Sequence, residues 1–213
     1  MTSSRPPEPP DRRDAILTAV ATTAELLLEQ ISLKQSIQRS LAALGEATES
    51  SRVYIFRTHS SSEGELLASQ DYEWAAPGVS PQIDSPDLQD LPLAAAGFSR
   101  WTETLPRGEK IVGLIKDFPD TERALLEQQQ IKALLVVPIF VQGAWWGFVG
   151  YDECHAERAW TEAEASALMA AARIIGAPLD REKAVAALSE SEQTLRSFFN
   201  TIEDFVFVLD ISG

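Results

Sequence analysis

The chain contains 213 residues, 45% of them hydrophobic, and its 18 basic and 32 acidic residues give a net charge of −14. This length can bury a core for one domain of ordinary size together with a smaller segment. An acidic surface repels nucleic acid and anionic lipid, so we expect neither as a partner. The single cysteine excludes an internal disulfide, and no apolar run approaches the ~20 residues that span a bilayer. We therefore expect a cytoplasmic protein.

The N-terminal part changes character at Asp14. Residues 1–13 are rich in proline and offer no apolar side chains to bury, which predicts a disordered lead-in. From Asp14 onward apolar residues recur in steps of three and four, which predicts a helix over residues 14–32 that pairs with another helix in a dimer. The core of a single domain could use the same stripe. The stripe consists of Leu17, Val20, Ala24, Leu27 and Ile31.

A second helix and two strands follow. Ser32 and Gln35 have the spacing of a capping box, which predicts a helix that begins at Leu33. Residues 53–56 and 66–74 have the composition of antiparallel strands joined by a polar turn. Residues 77–92 contain four prolines and no periodicity, so we expect a long loop that crosses the sheet.

The most apolar stretch of the chain predicts a β-hairpin. Residues 133–141 and 144–151 are two apolar runs joined by Gln142-Gly143, the dipeptide of a tight turn. Since both runs are apolar at nearly every position, both faces should be covered and the hairpin should lie at the centre of the sheet. Ahead of it, the sequence predicts short helices over residues 98–105 and 120–130, with a strand over 111–114 between them.

The hairpin is followed by a long helix. Thr161 and Glu164 form a second capping-box pattern, and helix-forming residues continue to about residue 190. Pro178 should bend this helix, because it removes a backbone donor and clashes with the preceding turn. The apolar stripe of this helix also has the spacing of a helix pair, and it consists of Ala165, Leu168, Ala172, Ile175 and Leu179.

The order of these segments resembles the GAF domains of bacterial sensor proteins. The resemblance covers residues 33–181 and implies an α+β fold with a central antiparallel sheet, as in the similar PAS domains. It also implies helices on one face of the sheet, a small-molecule pocket over the other, and long terminal helices that form a dimer bundle. The segments that carry it are residues 44–48, 52–56, Trp101, Leu105 with Gly108, 131–139, 146–152 and 160–164.

Residues 191–213 look like the opening of a PAS domain. An apolar strand predicted over residues 205–209 leads to Asp210 and Gly213, where such a domain turns. Residues 182–190 would then form a linker helix, and the chain would belong to a longer receptor, since a lone strand is not stable as a sheet. Alternatively, this strand pairs with the preceding domain or with a partner chain.

No catalytic motif is present, and two histidines with one cysteine do not form a zinc-ligand pattern. Bilin-binding GAF domains attach the pigment through a cysteine ahead of the strand that matches residues 131–139. Residues 121–130 contain neither Cys nor His, which disfavours a covalent chromophore. Phe148, Asp152 and Glu153 match half of the motif of cyclic-nucleotide-binding GAF domains, but no asparagine precedes Asn200, so this is a minority alternative.

The sequence therefore predicts a non-enzymatic sensory input module that relays a signal through a helical homodimer to an output domain such as a histidine kinase. The ligand is an unidentified small molecule, and no cofactor is assigned. A structural spacer without a ligand is the alternative. The predicted pocket lies beneath the proline-rich loop and is lined by Trp74, Trp101, Phe148 and Tyr151, because aromatic residues supply apolar area with polar tips.

Overall fold

The structure is a computed structural model that describes residues 12–29, 31–179 and 196–197. The chain divides into two compact units, Met1–Gly176 and Ala177–Gly213. The lead-in up to residue 11, the predicted linker helix at 182–190 and the strand predicted at 205–209 lie outside the described residues. Within the described ranges, no helix combines the length and apolar character needed to cross a membrane.

The described residues form five α-helices and one six-stranded sheet. The helices are α1 (Arg12–Leu28), α2 (Leu33–Thr48), α3 (Ser99–Thr104), α4 (Asp120–Gln128) and α5 (residues 162–179). The strands are β1 (Arg52–Ser60), β2 (Leu66–Ala75), β3 (Leu91–Pro92), β4 (Ile111–Leu114), β5 (Ala133–Val141) and β6 (Ala144–Glu153). Short 3-10 turns occupy Pro86–Leu88, Leu105–Arg107 and Ile115–Asp117.

The sheet is antiparallel throughout, with the strand order β3-β2-β1-β6-β5-β4. The predicted hairpin is β5 and β6, and both strands are interior, as their apolar composition indicated. Gln142 and Gly143 connect them with φ values of 54° and 75°, which is the backbone of a turn that matches the twist of the strands. Pro138 lies beyond the residues of β5 that pair with β4, so its missing N–H breaks no bond to that strand.

Alternation along β5 separates two apolar layers. Leu134 and Val136 belong to the cluster that also contains Trp101, on the face covered by α3, α4 and the proline-rich loop. Leu135 and Val137 point the other way, toward the face on which α2 and α5 pack. This confirms the predicted α+β fold with a central antiparallel sheet.

The N-terminal helix uses a different face from the predicted stripe. The capping box of Ser32 and Gln35 starts α2 as predicted, and α1 packs along α2. The side chains that α1 buries there are Ile16, Ala19, Thr23 and Leu26. The predicted stripe lies one residue further round the helix, where Leu17 is 58% exposed and Val20, Ala24 and Leu27 are half-buried.

Helix α5 begins with the predicted capping box, in which the Thr161 N–H donates to Glu164 and the Glu164 N–H donates to the Thr161 hydroxyl. Its predicted stripe does not face a partner chain: Ala165, Leu168, Ala172 and Ile175 are buried within the first unit. A Cβ at Gly176 would lie 2.6 Å from the Phe140 carbonyl oxygen, so glycine is required where α5 approaches β5. The helical backbone continues past Pro178 to residue 179, and the bend expected there stays a prediction.

Candidate functional site

A cavity lies on the face of the sheet opposite α2, and its floor is built by alternation along β1 and β6. Arg52, Tyr54 and Phe56 project from β1 into the cavity. Their cross-strand partners on β6 are Asp152, Gly150 and Phe148. Each step along the two strands therefore adds one row to the floor, from a charged pair through tyrosine to two phenylalanine rings. The cavity is polar at one end and apolar at the other.

The middle row depends on Gly150. A Cβ at this position would lie 2.6 Å from the Tyr54 ring and from its hydroxyl oxygen, so the tyrosine occupies the space that a side chain would fill. At the apolar end, the rings of Phe56 and Phe148 stack with centroids 5.0 Å apart. Glycine on β6 thus lets the Tyr54 hydroxyl lie beside the Asp152 carboxylate at the polar end.

Helix α3 closes the apolar end with Trp101, whose ring meets Phe148 edge to face at 5.7 Å. The Trp101 indole N–H donates to Glu122 Oε2 of α4 at 2.9 Å. Arg100 donates two hydrogen bonds to the same carboxylate, at 2.8 and 2.6 Å, and Glu122 is 1% exposed. The polar tip of Trp101 is therefore already bound, and its ring offers the cavity apolar surface alone. The remaining cover is Leu88, Leu91, Leu93, Phe98, Leu125 and Leu126.

The polar end contains a buried ion pair. Arg52 Nη2 lies 3.3 Å from Asp152 Oδ2, both side chains are 2% exposed, and Arg52 also donates to the Gln129 carbonyl at 2.9 Å. Burial raises the pKa of Asp152 to about 6, against the opposing effects of Arg52 and the Tyr54 hydroxyl. Burial and the Asp152 charge likewise raise the pKa of Tyr54 well above its ordinary value. Tyr54 is therefore a neutral hydrogen-bonding group.

Glu73 of β2 connects the cavity to the proline-rich loop. Its Oε2 accepts hydrogen bonds from the Gln82 and Ile83 backbone N–H groups, at 2.6 and 2.9 Å. We call this contact the Glu73 latch. Glu73 is 8% exposed, and its other oxygen, Oε1, is buried without a hydrogen-bond partner among the described residues. One oxygen of Glu73 thus binds the loop that covers the cavity, while the other can still accept a hydrogen bond.

A bulge in β2 brings a second polar side chain to the same place. Ile55 pairs with Tyr72 and Phe56 with Gln70, so Asp71 has no partner on β1 and is instead bound to Arg57 at 2.8 Å. Because of this extra residue, Gln70 and Glu73 both face the cavity although they are three positions apart.

Four buried polar atoms around the cavity lack a hydrogen-bond partner in the described part of the chain: Arg52 Nε, Gln70 Oε1, Glu73 Oε1 and Asp152 Oδ1. Buried polar groups are normally hydrogen-bonded, and an unpaired one costs roughly 1–3 kcal/mol. The cavity volume is about 40 Å³. That space holds a few waters or a small head group.

The structure brings two of the four predicted pocket residues together. Trp101 and Phe148 line this cavity. Trp74 and Tyr151 do not, which corrects the prediction for them. Trp74 pairs with Val53 on the other face of the sheet, where its ring lies against Gly45 of α2. Tyr151 lies three residues from Phe148, an odd number, so it faces the helices and stacks on Trp160 at 5.5 Å.

The polar end of the cavity was not predicted from the sequence. Asp152 is predicted only as one residue of a partly matched nucleotide motif, and Arg52 and Tyr54 only as members of segment 52–56, which carries the family resemblance. Alternation from Phe148 would have placed Gly150 and Asp152 on the same face. Gln70 and Glu73 carried no such signal, since alternation would separate them.

Cys154 and His155 do not line the cavity. They border a separate polar opening beside Arg52, next to Gln129, with a volume of about 240 Å³. Burial raises the pKa of the Cys154 thiol, which makes it a poor nucleophile. Across residues 12–29 and 31–179, no three His, Cys, Asp or Glu side chains come together as a metal site would require.

An antiparallel sheet with α2 and α5 on one face, and a cavity covered by α3, α4 and a long loop on the other, defines an α+β domain of the GAF type. The chain belongs to the GAF domain family, which it matches over residues 32–179. GAF domains are generally regulatory and not catalytic.

The methanogenesis regulatory histidine kinase FilI of Methanothrix harundinacea (strain 6Ac) is 42% identical over 192 residues, which are 90% of this chain and 21% of that protein. The chain therefore spans about a fifth of the length of this relative.

Two solved structures show the same fold. GAF3 from Slr1393 of Synechocystis sp. PCC6803, in its photoproduct state, is 24% identical with a TM-score of 0.59, and the match covers 74% of this chain and 99% of that one. The phycocyanobilin-bound GAF domain from a cyanobacterial phytochrome is 15% identical with a TM-score of 0.61, over 82% and 96% of the two chains.

Proposed function

We propose that this domain is the input module of a signalling protein and that it binds a small molecule in the cavity between β1, β6 and α3. The observation that carries the proposal is the set of four unpartnered buried polar atoms around one cavity. A domain that served only as a spacer would gain stability by filling this place with apolar side chains. A bound ligand would supply the missing hydrogen bonds.

A covalently attached bilin does not fit this cavity. Its lining contains no cysteine, and pockets for ligands of drug size or larger measure about 300 Å³ or more. The similarity to bilin-bound structures therefore supports the fold and not the pigment.

Cyclic nucleotide binding has partial support from the same residues. Phe148 and Asp152 line the cavity, but Glu153 lies outside it, where its Oε1 accepts hydrogen bonds from the Ser51 hydroxyl and the His155 N–H. The motif's last carboxylate is thus used to hold the backbone after β6.

A chain of charged contacts connects the cavity with the two long helices. Glu153 follows Asp152 directly and lies 3.9 Å from Arg158. Arg158 pairs with Glu164, the buried capping residue of α5, and Glu164 lies 3.1 Å from Arg12 of α1. We propose that a shift of β6 on ligand binding reaches α1 and α5 through these contacts and then an output domain, such as the kinase domain that the name of FilI implies.

The helical homodimer is part of this proposal, with an interface that keeps Leu17 and Val20 of the α1 stripe and leaves out the α5 stripe, which is buried. Leu17 is 58% and Leu28 85% exposed, and they lie eleven residues apart, about three turns, on the same side of α1. Leu17 lines an apolar groove of about 480 Å³ between α1 and α5, together with Val20, Ala163, Ala167 and others. A second copy of α1 would cover these side chains.

The test is ligand-dependent stability. A heat-released small-molecule extract of the producing cells should raise the melting temperature, because a ligand that binds only the folded state stabilises it. Native mass spectrometry then identifies the bound mass. The increase should disappear in Phe148→Ala, which removes a cavity wall, and persist in Phe140→Ala, the same change at a 36% exposed position of β5. An unchanged melting temperature, with no bound mass in the purified protein, would favour the spacer.

A further inference from the structure

The unpartnered atoms at the polar end of the cavity have a common chemistry. Asp152 Oδ1 and Glu73 Oε1 are carboxylate oxygens, which only accept hydrogen bonds. Gln70 Oε1 is a third acceptor. The single unpartnered donor among these atoms is Arg52 Nε, whose guanidinium is otherwise engaged by Asp152 and Gln129. A ligand that satisfies this end must therefore donate more hydrogen bonds than it accepts.

The net charge of the polar end also favours a ligand that donates hydrogen bonds. One guanidinium and two carboxylates line the polar end, which leaves it with one excess negative charge when all three are ionised. The Glu73 charge adds to the cost of ionising Asp152 and raises the pKa of that carboxyl. A buried charge is stable only when it is paired and hydrogen-bonded. A monovalent cation with several N–H groups would balance this excess.

The apolar end of the cavity restricts the polarity and the size of the part of the ligand that lies there. Beyond Tyr54 the lining is apolar, with the stacked rings of Phe56 and Phe148 and the Trp101 ring. The present volume accepts a head group but not a bulky body. The cover is the loop that the Glu73 latch holds, so a body of ring size requires this loop to move outward.

We propose, on the basis of the function proposed above, that the cavity binds a small amphipathic organic cation of the amine, amidine or guanidine class. The cationic head donates to Glu73 Oε1 and Asp152 Oδ1 at the polar end. The apolar body lies against Phe56, Phe148 and Trp101. This assignment separates the site from one for an anion, for a neutral lipid or for a bilin.

Three probes with the same ring and different heads test it on the full chain: benzamidine, benzamide and benzoate, which carry a positive, a neutral and a negative head. Isothermal titration should show that benzamidine binds about tenfold or more tightly than benzoate, with benzamide between them, because like-charge contact costs several kcal/mol. Glu73→Gln should remove most of this preference. Glu63→Gln, the same change at an exposed position of the β1–β2 turn, should leave it intact.

A measurement on the unaltered chain covers the case in which Glu73→Gln does not fold. Benzamidine affinity should fall as the pH decreases through about 6, where Asp152 gains a proton. The charged or titratable groups near Asp152 are Arg52, Tyr54, Glu73 and Cys154.

Tighter binding of benzoate or benzamide, or no binding of any probe, would overturn the cation assignment. The extract experiment would still decide the proposed function, because it does not depend on the class of the ligand. A preference for benzamidine that survives in Glu73→Gln and does not change with pH would show that the cation binds elsewhere.

Discussion

At the residue scale, the central feature is an ionisable group whose environment opposes its charge. Asp152 is buried between Arg52, Tyr54 and Glu73, and its pKa is raised to about 6, compared with about 3.9 in an unfolded chain. The attraction of Arg52 is smaller than the cost of burial combined with the nearby Glu73 charge. The folded protein therefore holds a proton on Asp152 at pH values where the unfolded chain has released it.

The sign of the resulting pH dependence follows from this difference. Between about pH 4 and about 6 the unfolded state binds fewer protons than the folded state, so the contribution of Asp152 to stability declines as the pH rises through this range. Urea unfolding across this range should show that the free energy of unfolding declines more steeply in the native protein than in Asp152→Asn. If the two curves run parallel, Asp152 does not titrate in this window.

The side chains of the cavity show where sequence reasoning succeeds. Trp101 and Phe148 were predicted from their type and from the resemblance. Tyr151 could have been excluded by alternation, since it is three residues from Phe148 on an unbroken part of β6. Trp74 and Glu73 needed the register of β2 against β1, and this register changes at the bulge beside Asp71. The position of a bulge depends on how two strands pair, so it cannot be predicted from the sequence of one strand alone.

At the element scale, local rules predicted the helices and strands well. The capping boxes at Ser32 and Thr161 fixed two helix starts, and apolar runs around Gln142-Gly143 fixed the hairpin. The partner of each stripe was harder to predict. The stripe of α5 has the spacing of a helix pair, yet residues such as Leu168 and Ile175 are buried in the core of their own unit. Periodicity shows that a face is covered and not what covers it.

Gly176 shows how local helix propensity and tertiary packing can disagree. On a helix-propensity scale, glycine is among the least favourable residues inside a helix. Replacement by alanine would gain about 1 kcal/mol of helix propensity. The new Cβ would, however, lie 2.6 Å from the Phe140 carbonyl, which is backbone and cannot rotate away. We expect Gly176→Ala to lower the free energy of unfolding by about 1–3 kcal/mol, the usual cost of overpacking.

Chemical denaturation measures this effect, and Ser166→Ala is the matched control. Ser166 is exposed on α5, so a gain in propensity, smaller than that from glycine to alanine, should appear there without a clash. A Gly176→Ala protein as stable as the control would mean that α5 can move away from β5 at little cost.

At the scale of the whole molecule, the acidic domain leaves apolar side chains uncovered on α1. Leu17 and Leu28 are both exposed, and Leu17 lines the groove between α1 and α5. An exposed leucine that continues into an apolar groove favours the proposed interface. A twofold arrangement of two α1 helices would place each groove against the other copy.

In the proposed homodimer, a charge at Leu17 would be desolvated without a partner, so we expect Leu17→Lys to be a monomer. Light scattering at micromolar concentration measures the mass of each form. Thr18→Lys adds the same charge one residue away, outside the stripe, and should stay dimeric. A native protein that is already monomeric at this concentration would contradict the proposed interface.

The Glu73 latch has a consequence for the lifetime of a bound molecule. Glu73 Oε2 holds Gln82 and Ile83 of the cover, so a ligand that leaves through this loop can do so only after these hydrogen bonds break. If Oε1 of the same carboxylate binds the ligand, departure requires both events in sequence. The dissociation rate would then be set by the opening of the loop, and ligands of quite different affinity would leave at similar rates. A receptor built in this way would respond quickly to the arrival of its signal and slowly to its removal.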